Sequence, residues 1–301
     1  MRLKPHKNRA DAVSIMTGIV LSVYVIGLFA PMLWTVLASI TENNSYYNFY
    51  VDRFFDTSSF PFTFTLENYS IAQQYIRLTA PGTQVTYNML GLYINSMIYA
   101  VGSALAFTFC SCVVSYLTAR FDFKFSKIIY AFVILAMSLP IVGSMPSEIQ
   151  MLQNLGIYGQ WISIPILRFN FLSVYFLVFY ATFKGVSKEY SEAAKIDGAS
   201  NLSIMLRIIF PQAMNIVITV FVLSFITYWN DYQVPRLYIP DYPVAAYGVF
   251  YFMSTPQAGG MTSNMPVQMA GTLLMTLPVL LTVIIFNKRL RVSVSIGGIK
   301  G

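Results

Sequence analysis

An all-α fold that crosses a membrane several times is what this sequence predicts, and three observations carry the prediction. Hydrophobic residues make up 56% of its 301 residues and charged residues only 10%, against roughly a quarter charged in a soluble domain. Charge-free apolar runs recur at spanning length, about 20 residues per helix. The charged residues collect between those runs.

The runs are Ala12 to Thr41, Leu78 to Ala119, Ile128 to Ser147, Phe169 to Phe183, Ile208 to Asn230 and Val267 to Asn287, which predicts six transmembrane helices. The first is longer than the 7–15 residues of a signal-peptide core, so it is expected to stay as an anchor. The second exceeds one crossing, so its part up to about Asn88 is expected to stay outside. The fourth is short and is expected to borrow apolar residues from before Arg168. Ile149 to Leu167 is also charge-free, but Gln150, Gln153, Asn154, Gly156, Gly159, Gln160, Ser163 and Pro165 make it too polar to face lipid. It is expected to be an external loop.

Placing the N-terminus in the cytoplasm and alternating sides puts 15 of the 19 Lys and Arg inside, leaving only Arg53, Arg77, Arg168 and Arg236 outside. That is the bias expected of inner loops. Both termini are then cytoplasmic, as tails 1–12 and 289–301 around a transmembrane domain 13–288. Residues 42–88, with Tyr46, Tyr47, Phe49, Tyr50, Phe54 and Phe55, are too many for a bare connector and are expected to form a small external cap. Val244 to Met253 is too short to cross and reads as an interfacial or re-entrant helix, followed by a tip around Gln257, Gly259 and Gly260.

Several chemistries lack material. The net charge of +7 follows topology, with no basic-aromatic patch for nucleic acid. Cys110 and Cys112, two apart in an apolar run, point to different sides of a helix and read as packing residues. His6 is the single histidine, so a zinc site or a His-based triad is not expected. No Gly-x-x-x-x-Gly-Lys-Ser/Thr loop occurs, so the chain cannot hold ATP in that manner.

The most informative stretch is Glu189 to Gln212. Seven formal charges lie between Lys184 and Arg207, each costing about 2.5–3.5 kcal/mol at a membrane centre, so the stretch faces water or another protein. Glu189 to Ile196 reads as helix and Asp197-Gly198 as a sharp turn. Ser200 can cap a second helix with an apolar stripe of Leu202, Met205, Leu206 and Ile209, and Pro211 marks a bend. A solvated loop with an amphipathic helix resting on lipid is the bland alternative.

The order Glu-Ala-Ala, Asp-Gly-Ala, then Ile-Phe-Pro resembles the EAA loop of ATP-binding-cassette (ABC) importer permeases. Asn95-Ser96, the exit Ser115-Tyr116-Leu117-Thr118-Ala119-Arg120, Leu139-Pro140 with Leu155-Gly156, and Tyr228-Trp229-Asn230-Asp231 are similar to carbohydrate-importer permeases. The C-terminal Gly297 to Gly301 resembles the tail of the maltose-type MalG subunit. Ser187, Tyr190 and Ser115 stand where the family often has Pro, Leu and Ala.

The resemblance implies a permease in a prokaryotic inner membrane, working beside a MalF-like second permease, an ATPase subunit dimer that carries ATP and Mg, and an extracytoplasmic solute-binding protein. This chain itself then has no cofactor and is not an enzyme. In the coupling segment, residues 185–211, the resemblance assigns ATPase contact to Glu189, Glu192, Ala193, Ala194, Asp197, Gly198 and Pro211. Glu192 would pair with a basic group, Ala193 and Ala194 would allow close approach, and Gly198 would hold the turn.

Polar and aromatic groups within spans are the candidates for the solute path: Asn95, Tyr228, Trp229, Asn230 and Gln268. Helix-to-helix hydrogen bonding for Asn95 and Gln268, and an interfacial aromatic belt for Tyr228 and Trp229, are the structural alternatives. Asp231 is expected to anchor a helix end, and the resemblance implies that residues 241–266 reach toward the binding protein. The solute implied is a sugar or oligosaccharide, with glycerol phosphate or another polyol derivative as an alternative. An ion-gradient-driven transporter would want carboxylates within the spans, and the acids here fall in loops or at span ends. A membrane-embedded enzyme would want a nucleophile with a base.

Overall fold

The computed structural model describes residues 7–47, 63–139, 143–254 and 264–296. Phe49, Tyr50, Phe54 and Phe55 of the expected cap, Pro140, the Gly259-Gly260 tip and the glycine-rich C-terminus lie outside the described residues.

The first apolar run forms α1 (Lys7–Ile40), followed by α2 (Asn43–Tyr47) and α3 (Glu67–Tyr75). A two-stranded antiparallel hairpin, β1 (Leu78–Thr79) and β2 (Thr86–Tyr87), pairs Leu78 with Tyr87 and leads into α4 (Met89–Arg120). Next come α5 (Ser126–Ser138), α6 (Met145–Asn154), α7 (Ser163–Arg168) and α8 (Val174–Gly185). The charged segment forms α9 (Glu189–Ile196) and α10 (Asn201–Ile204), and α10 continues through a π-turn (Met205–Ile209) into α11 (Phe210–Trp229). The remaining helices are α12 (Gln233–Tyr238), α13 (Ala245–Ser254) and α14 (Met265–Ile296).

Among the described residues four stretches are long and apolar enough to cross a membrane: Val13–Ile40, Met89–Arg120, Asn201–Trp229 and Met265–Phe286. The expected start of the second span holds: Asn88 caps α4, its Oδ1 accepting from the Gly91 amide at 3.0 Å.

Spans three and four differ from expectation. The run Ile128 to Ser147 is not one helix: α5 stops at Ser138 after 13 residues, and Leu139 is extended at φ −94°, ψ 125°. Proline at 140 explains the stop, because its ring disfavours helical geometry in the preceding residue. The fourth run starts late, at Val174, because Ser173 is extended and Asn170 Oδ1 takes the Leu172 amide into a local turn. The residues before Arg168 form the separate helix α7 rather than extending α8. At 1.5 Å per residue, α5 and α8, with 13 and 12 residues, reach only about 20 and 18 Å.

Two compact units divide the chain. One holds residues 1–76 and 252–275. In it α1 is apolar on every side, with Val13, Ile19, Ile26 and Leu33 exposed, so the medium that suits it is lipid or another protein. Its C-terminal end is tied down by Asn68, whose Nδ2 donates to the Ser39 and Thr41 carbonyls at 2.9 Å each. A side chain at Gly271 would put its Cβ 3.0 Å from Ile76 Cδ1, so any larger residue there would oblige the Ile76 side chain to give way.

The other unit holds residues 77–251 and 276–301. Here α4 is the central post, packed against α7, α8 and α11. Small polar residues make its close contact with α8, as expected where helices associate without water to drive them. Ser115 Oγ donates to the Phe176 carbonyl at 3.0 Å. Cys110 and Cys112 are buried free thiols, as the packing reading expects.

Apolar clusters form at the two ends of α4. Tyr99, Leu152, Ile164, Tyr238, Ile239 and Val244 make one. Cys112, Tyr116, Phe183, Ala194, Ile204, Ile209 and Ala213 belong to the other. Tyr99 and Tyr116 stand 17 residues apart, about 26 Å along the helix.

Candidate functional site

The α9 segment is built as two short helices about one sharp turn. Glu189 and Glu192 occupy the first turn of α9 and Lys195 the last, the charge order that a helix dipole favours. Gly198 adopts φ +80°. Its amide donates to the Lys195 carbonyl at 3.0 Å, and the Ala199 amide donates to the Ala194 carbonyl at 2.9 Å. This pair of bonds is the Schellman stop of an α-helix, which needs a left-handed residue at that place. Asp197 precedes it, exposed, its amide bonded to the Ala193 carbonyl. Ser200 then caps α10, its Oγ accepting from the Ser203 amide at 3.2 Å.

The two faces of α9 have different fates. Ala194 is buried in the cluster with Tyr116 and Ile204. Glu189, Glu192, Ala193 and Ile196 share the opposite face at i, i+3, i+4 and i+7, and all are exposed, Ile196 to 87%. Arg120 at the end of α4 holds the inner face: its Nη1 donates to the Val186 carbonyl at 2.7 Å and its Nη2 to Ser191 Oγ at 2.6 Å.

The apolar stripe expected on the second helix is corrected by the π-turn. Leu202 and Leu206 are 61% and 52% exposed, whereas Ile204, Ile209, Ala213 and Ile216 are buried. A π-turn takes one more residue than an α-turn, so the buried positions step by five and then resume helical spacing. Pro211, in the first turn of α11, supplies the reason: it has no N–H to give the carbonyl one turn back, and its ring crowds that carbonyl. The wide turn just upstream relieves the crowding. The expected bend at Pro211 is therefore a π-turn within a continuous helical path.

The opposite end of α4 carries a polar knot that sequence reasoning does not assemble. Arg168 Nη2 lies 3.0 Å from Asp231 Oδ2, and the Tyr99 hydroxyl donates to the same oxygen at 2.7 Å. The Arg168 guanidinium sits 4.6 Å above the centre of the Tyr228 ring. Asp231 Oδ1 accepts from the Gln233 and Val234 amides, which anchors the start of α12. The signal available in the sequence is faint: Arg168 is one of four basic residues outside the inner loops, and Asp231 an acid at a span end. Nearby, the Tyr238 hydroxyl donates to Glu148 Oε2 at 2.7 Å. Burial, and then that hydrogen bond, push the phenol's pKa up.

Of the residues expected on a solute path, Tyr228 packs under Arg168 and edge-on to Tyr99. Trp229 is buried and stacks on Tyr93 at 6.2 Å. Asn230 is exposed at the end of α11, its amide bonded to the Ile226 carbonyl. Asn95 is buried and donates to the Pro243 carbonyl at 3.0 Å, while Ser96 Oγ accepts from the Ala245 amide at 2.6 Å, so this pair ties α4 to the start of α13. Gln268, half-buried on α14, belongs to the other compact unit. Among the described residues no cluster of His, Cys, Asp and Glu has the makings of a metal site.

The chain is similar to known transporter permeases. The chain is 27% identical over 281 residues to the Probable starch degradation products transport system permease protein AmyC of Thermoanaerobacterium thermosulfurigenes, covering 91% of this chain and 95% of that one. It is 28% identical over 216 residues to the Melibiose/raffinose/stachyose import permease protein MelC of Bacillus subtilis, covering 69% and 75%. A crystal structure of a bacterial ABC transporter involved in the import of the acidic polysaccharide alginate has a chain of the same fold, with TM-score 0.76, 17% identity, and coverage of 95% of this chain and 99% of that one. Residues 111–295, which take in the Schellman turn and the Arg168–Asp231 pair, match the family described as Binding-protein-dependent transport system inner membrane component. The chain belongs to that family of transporter permeases.

Proposed function

We propose that this permease forms, with a second MalF-like permease, the path for a sugar or oligosaccharide delivered by an extracytoplasmic binding protein. The sugar reading draws support from the names of its relatives, which transport starch degradation products and melibiose, raffinose and stachyose. Six crossings are proposed, α5 and α8 serving as the short third and fourth, with both termini and α9 in the cytoplasm. The charge bias of the loops supports that orientation. ATP and Mg reside on a partner ATPase dimer.

One observation carries the coupling role: α9 is locked on its inner face by Arg120 and Ala194 and bare on its outer face at Glu189, Glu192, Ala193 and Ile196. A helix stopped at Gly198 and fixed from behind moves as one piece with α4 and α8. An ATPase seated on its outer face therefore displaces the transmembrane helices when it closes on ATP, and the two states of the permease are biased by that closure. On this reading Glu192 pairs with a basic group of the ATPase, and Asp197 and Pro211 shape the flanks of the contact.

For the solute path, Asn95, Tyr228, Trp229 and Asn230 are proposed from the second unit, and Gln268 separately from the first. Aromatic faces suit the C–H faces of sugar rings, and amides suit their hydroxyls. The test is purification of the chain with its partner subunits. Ala193→Arg, on the bare face, should release the ATPase while the permease pair stays folded; retention of the ATPase would refute the docking face. Thermal-shift measurement of the complex against a panel of oligosaccharides identifies the solute, and stabilisation by none of them would refute the sugar class.

A further inference from the structure

We propose that a cleft between the ends of α4 and α8 and the start of α5 binds the phosphate of an anionic lipid headgroup. The cleft encloses about 310 Å³ and is lined by Arg120, Lys127, Lys184 and Lys188, with Asp122 as its one acid. Arg120 is already committed to Val186 and Ser191. Lys127, Lys184 and Lys188 form no ion pair among the described residues. Three cations around one cavity therefore face a single carboxylate.

Two further features fit a phosphate. Phe125 occupies the cap position of α5 and offers no side-chain acceptor. The Ser126 and Ile129 amides donate to the Phe123 and Phe125 carbonyls, which leaves the Lys127 and Ile128 amides in the first turn of this 13-residue helix, and such groups favour an anion. Tyr130 and Tyr180 pack with ring centres 4.7 Å apart, and the Lys184 ammonium lies 5.4 Å over the Tyr180 ring. Both rings line the cleft, and amphipathic rings are the side chains that settle at headgroup depth.

A lipid, rather than free phosphate, is favoured by another face of the same helix. Ile128, Phe132 and Leu135 follow at i, i+4 and i+7 on α5 and are 60%, 53% and 56% exposed. None of the three lines the cleft, but the stripe begins next to Lys127 and offers an acyl chain an apolar surface on α5. Basic pockets between transmembrane helices recognise anionic headgroups in this manner. The inference rests on the reading that α4, α5 and α8 lie in the membrane.

The test is native mass spectrometry of the detergent-purified importer complex titrated with phosphatidylglycerol, with phosphatidylcholine as the neutral control. Wild type should retain phosphatidylglycerol selectively. Each lysine near an anionic surface contributes about a fivefold effect, so K127Q/K184Q/K188Q should bind it about a hundredfold more weakly, and K127R/K184R/K188R should bind as wild type. The arginine variant also controls for folding. Equal retention by wild type and the glutamine variant overturns the proposal, as does displacement of the lipid by inorganic phosphate at equal concentration. Loss of the ATPase from the glutamine variant with lipid binding unchanged would assign the lysines to the ATPase and also overturn it. Failure of the importer reading is separately visible, as absence of ATPase subunits from the wild-type complex.

Discussion

The guanidinium of Arg120 reaches from the last turn of α4 to Ser191 Oγ at 2.6 Å, and so joins the longest helix of its unit to the short helix α9. With its second bond, to the Val186 carbonyl, it grips the chain on both sides of the break between α8 and α9. Any force on α9 has a direct path into α4.

Arg120→Ala should therefore uncouple without unfolding. Hydrogen bonds from a charged donor contribute about 1.5–3 kcal/mol, so ATP-driven uptake in proteoliposomes should fall at least about tenfold, while ATP hydrolysis by the complex persists. Arg120→Lys keeps the charge but lacks the two-pronged donor and should restore only part of the uptake. Parallel loss of uptake and hydrolysis would point to a docking defect instead.

Gly198 should tolerate substitution according to backbone freedom and not size, because a Cβ at this position would meet nothing within 4 Å and φ is +80°. Gly198→Ala should destabilise the turn by about 1–2 kcal/mol and reduce uptake. Gly198→Asn should be milder, since Asn visits this region more readily. Gly198→Pro, whose ring forbids the angle, should abolish uptake with the protein still folded. Normal transport by the proline variant, measured against its expression level, would remove the turn from the mechanism.

The Arg168–Asp231 pair should show coupling in a double-mutant cycle. Both side chains are about one-fifth exposed, at 23% and 18%, so solvent screening keeps the pair below the range for fully buried ions. Each of Arg168→Gln and Asp231→Asn should lower stability by about 1–3 kcal/mol by leaving a partner behind. The double variant should lose clearly less than the sum, read from thermal unfolding of the complex; strict additivity would mean the pair does not interact.

Tyr238 should make stability fall at alkaline pH. Its phenol is raised above the ordinary value of 10.0 by burial and by the bond to Glu148. The folded state then holds a proton that the unfolded state gives up first, so the contribution is full below pH 10 and is lost as pH rises through the folded value. Tyr238→Phe should lower stability by about 1 kcal/mol at neutral pH, and the difference between wild type and variant should shrink above pH 10. A difference independent of pH would assign the effect to packing alone.

Much of this architecture is legible in the chain because lipid imposes simple rules. Charges cannot remain in the bilayer core, so the runs between them mark the helices, and α1, α4, α11 and α14 fall on the expected runs. Glycine at 198 and serine at 200 specify the turn and the cap for local reasons, and both hold. The third and fourth runs escape such reading because apolar composition does not register where a helix breaks: Pro140 and the Asn170 turn end the regular hydrogen bonding within unbroken hydrophobic stretches. The stripe on α10 escapes it because a π-turn resets the helical period, and period is what pattern reading assumes.

By itself the sequence determined that the protein is helical and membrane-bound, where the charged segment Glu189 to Gln212 lies, and how that segment turns, since each follows from the cost of charge in lipid or from the backbone freedom of single residues. The tertiary structure alone decided that Arg120 grips α9, that Arg168 and Asp231 meet across 63 positions of sequence, and that Asn95 serves the Pro243 carbonyl. Those facts depend on which helices pack side by side, and helix packing joins residues whose separation along the chain carries no periodic signal.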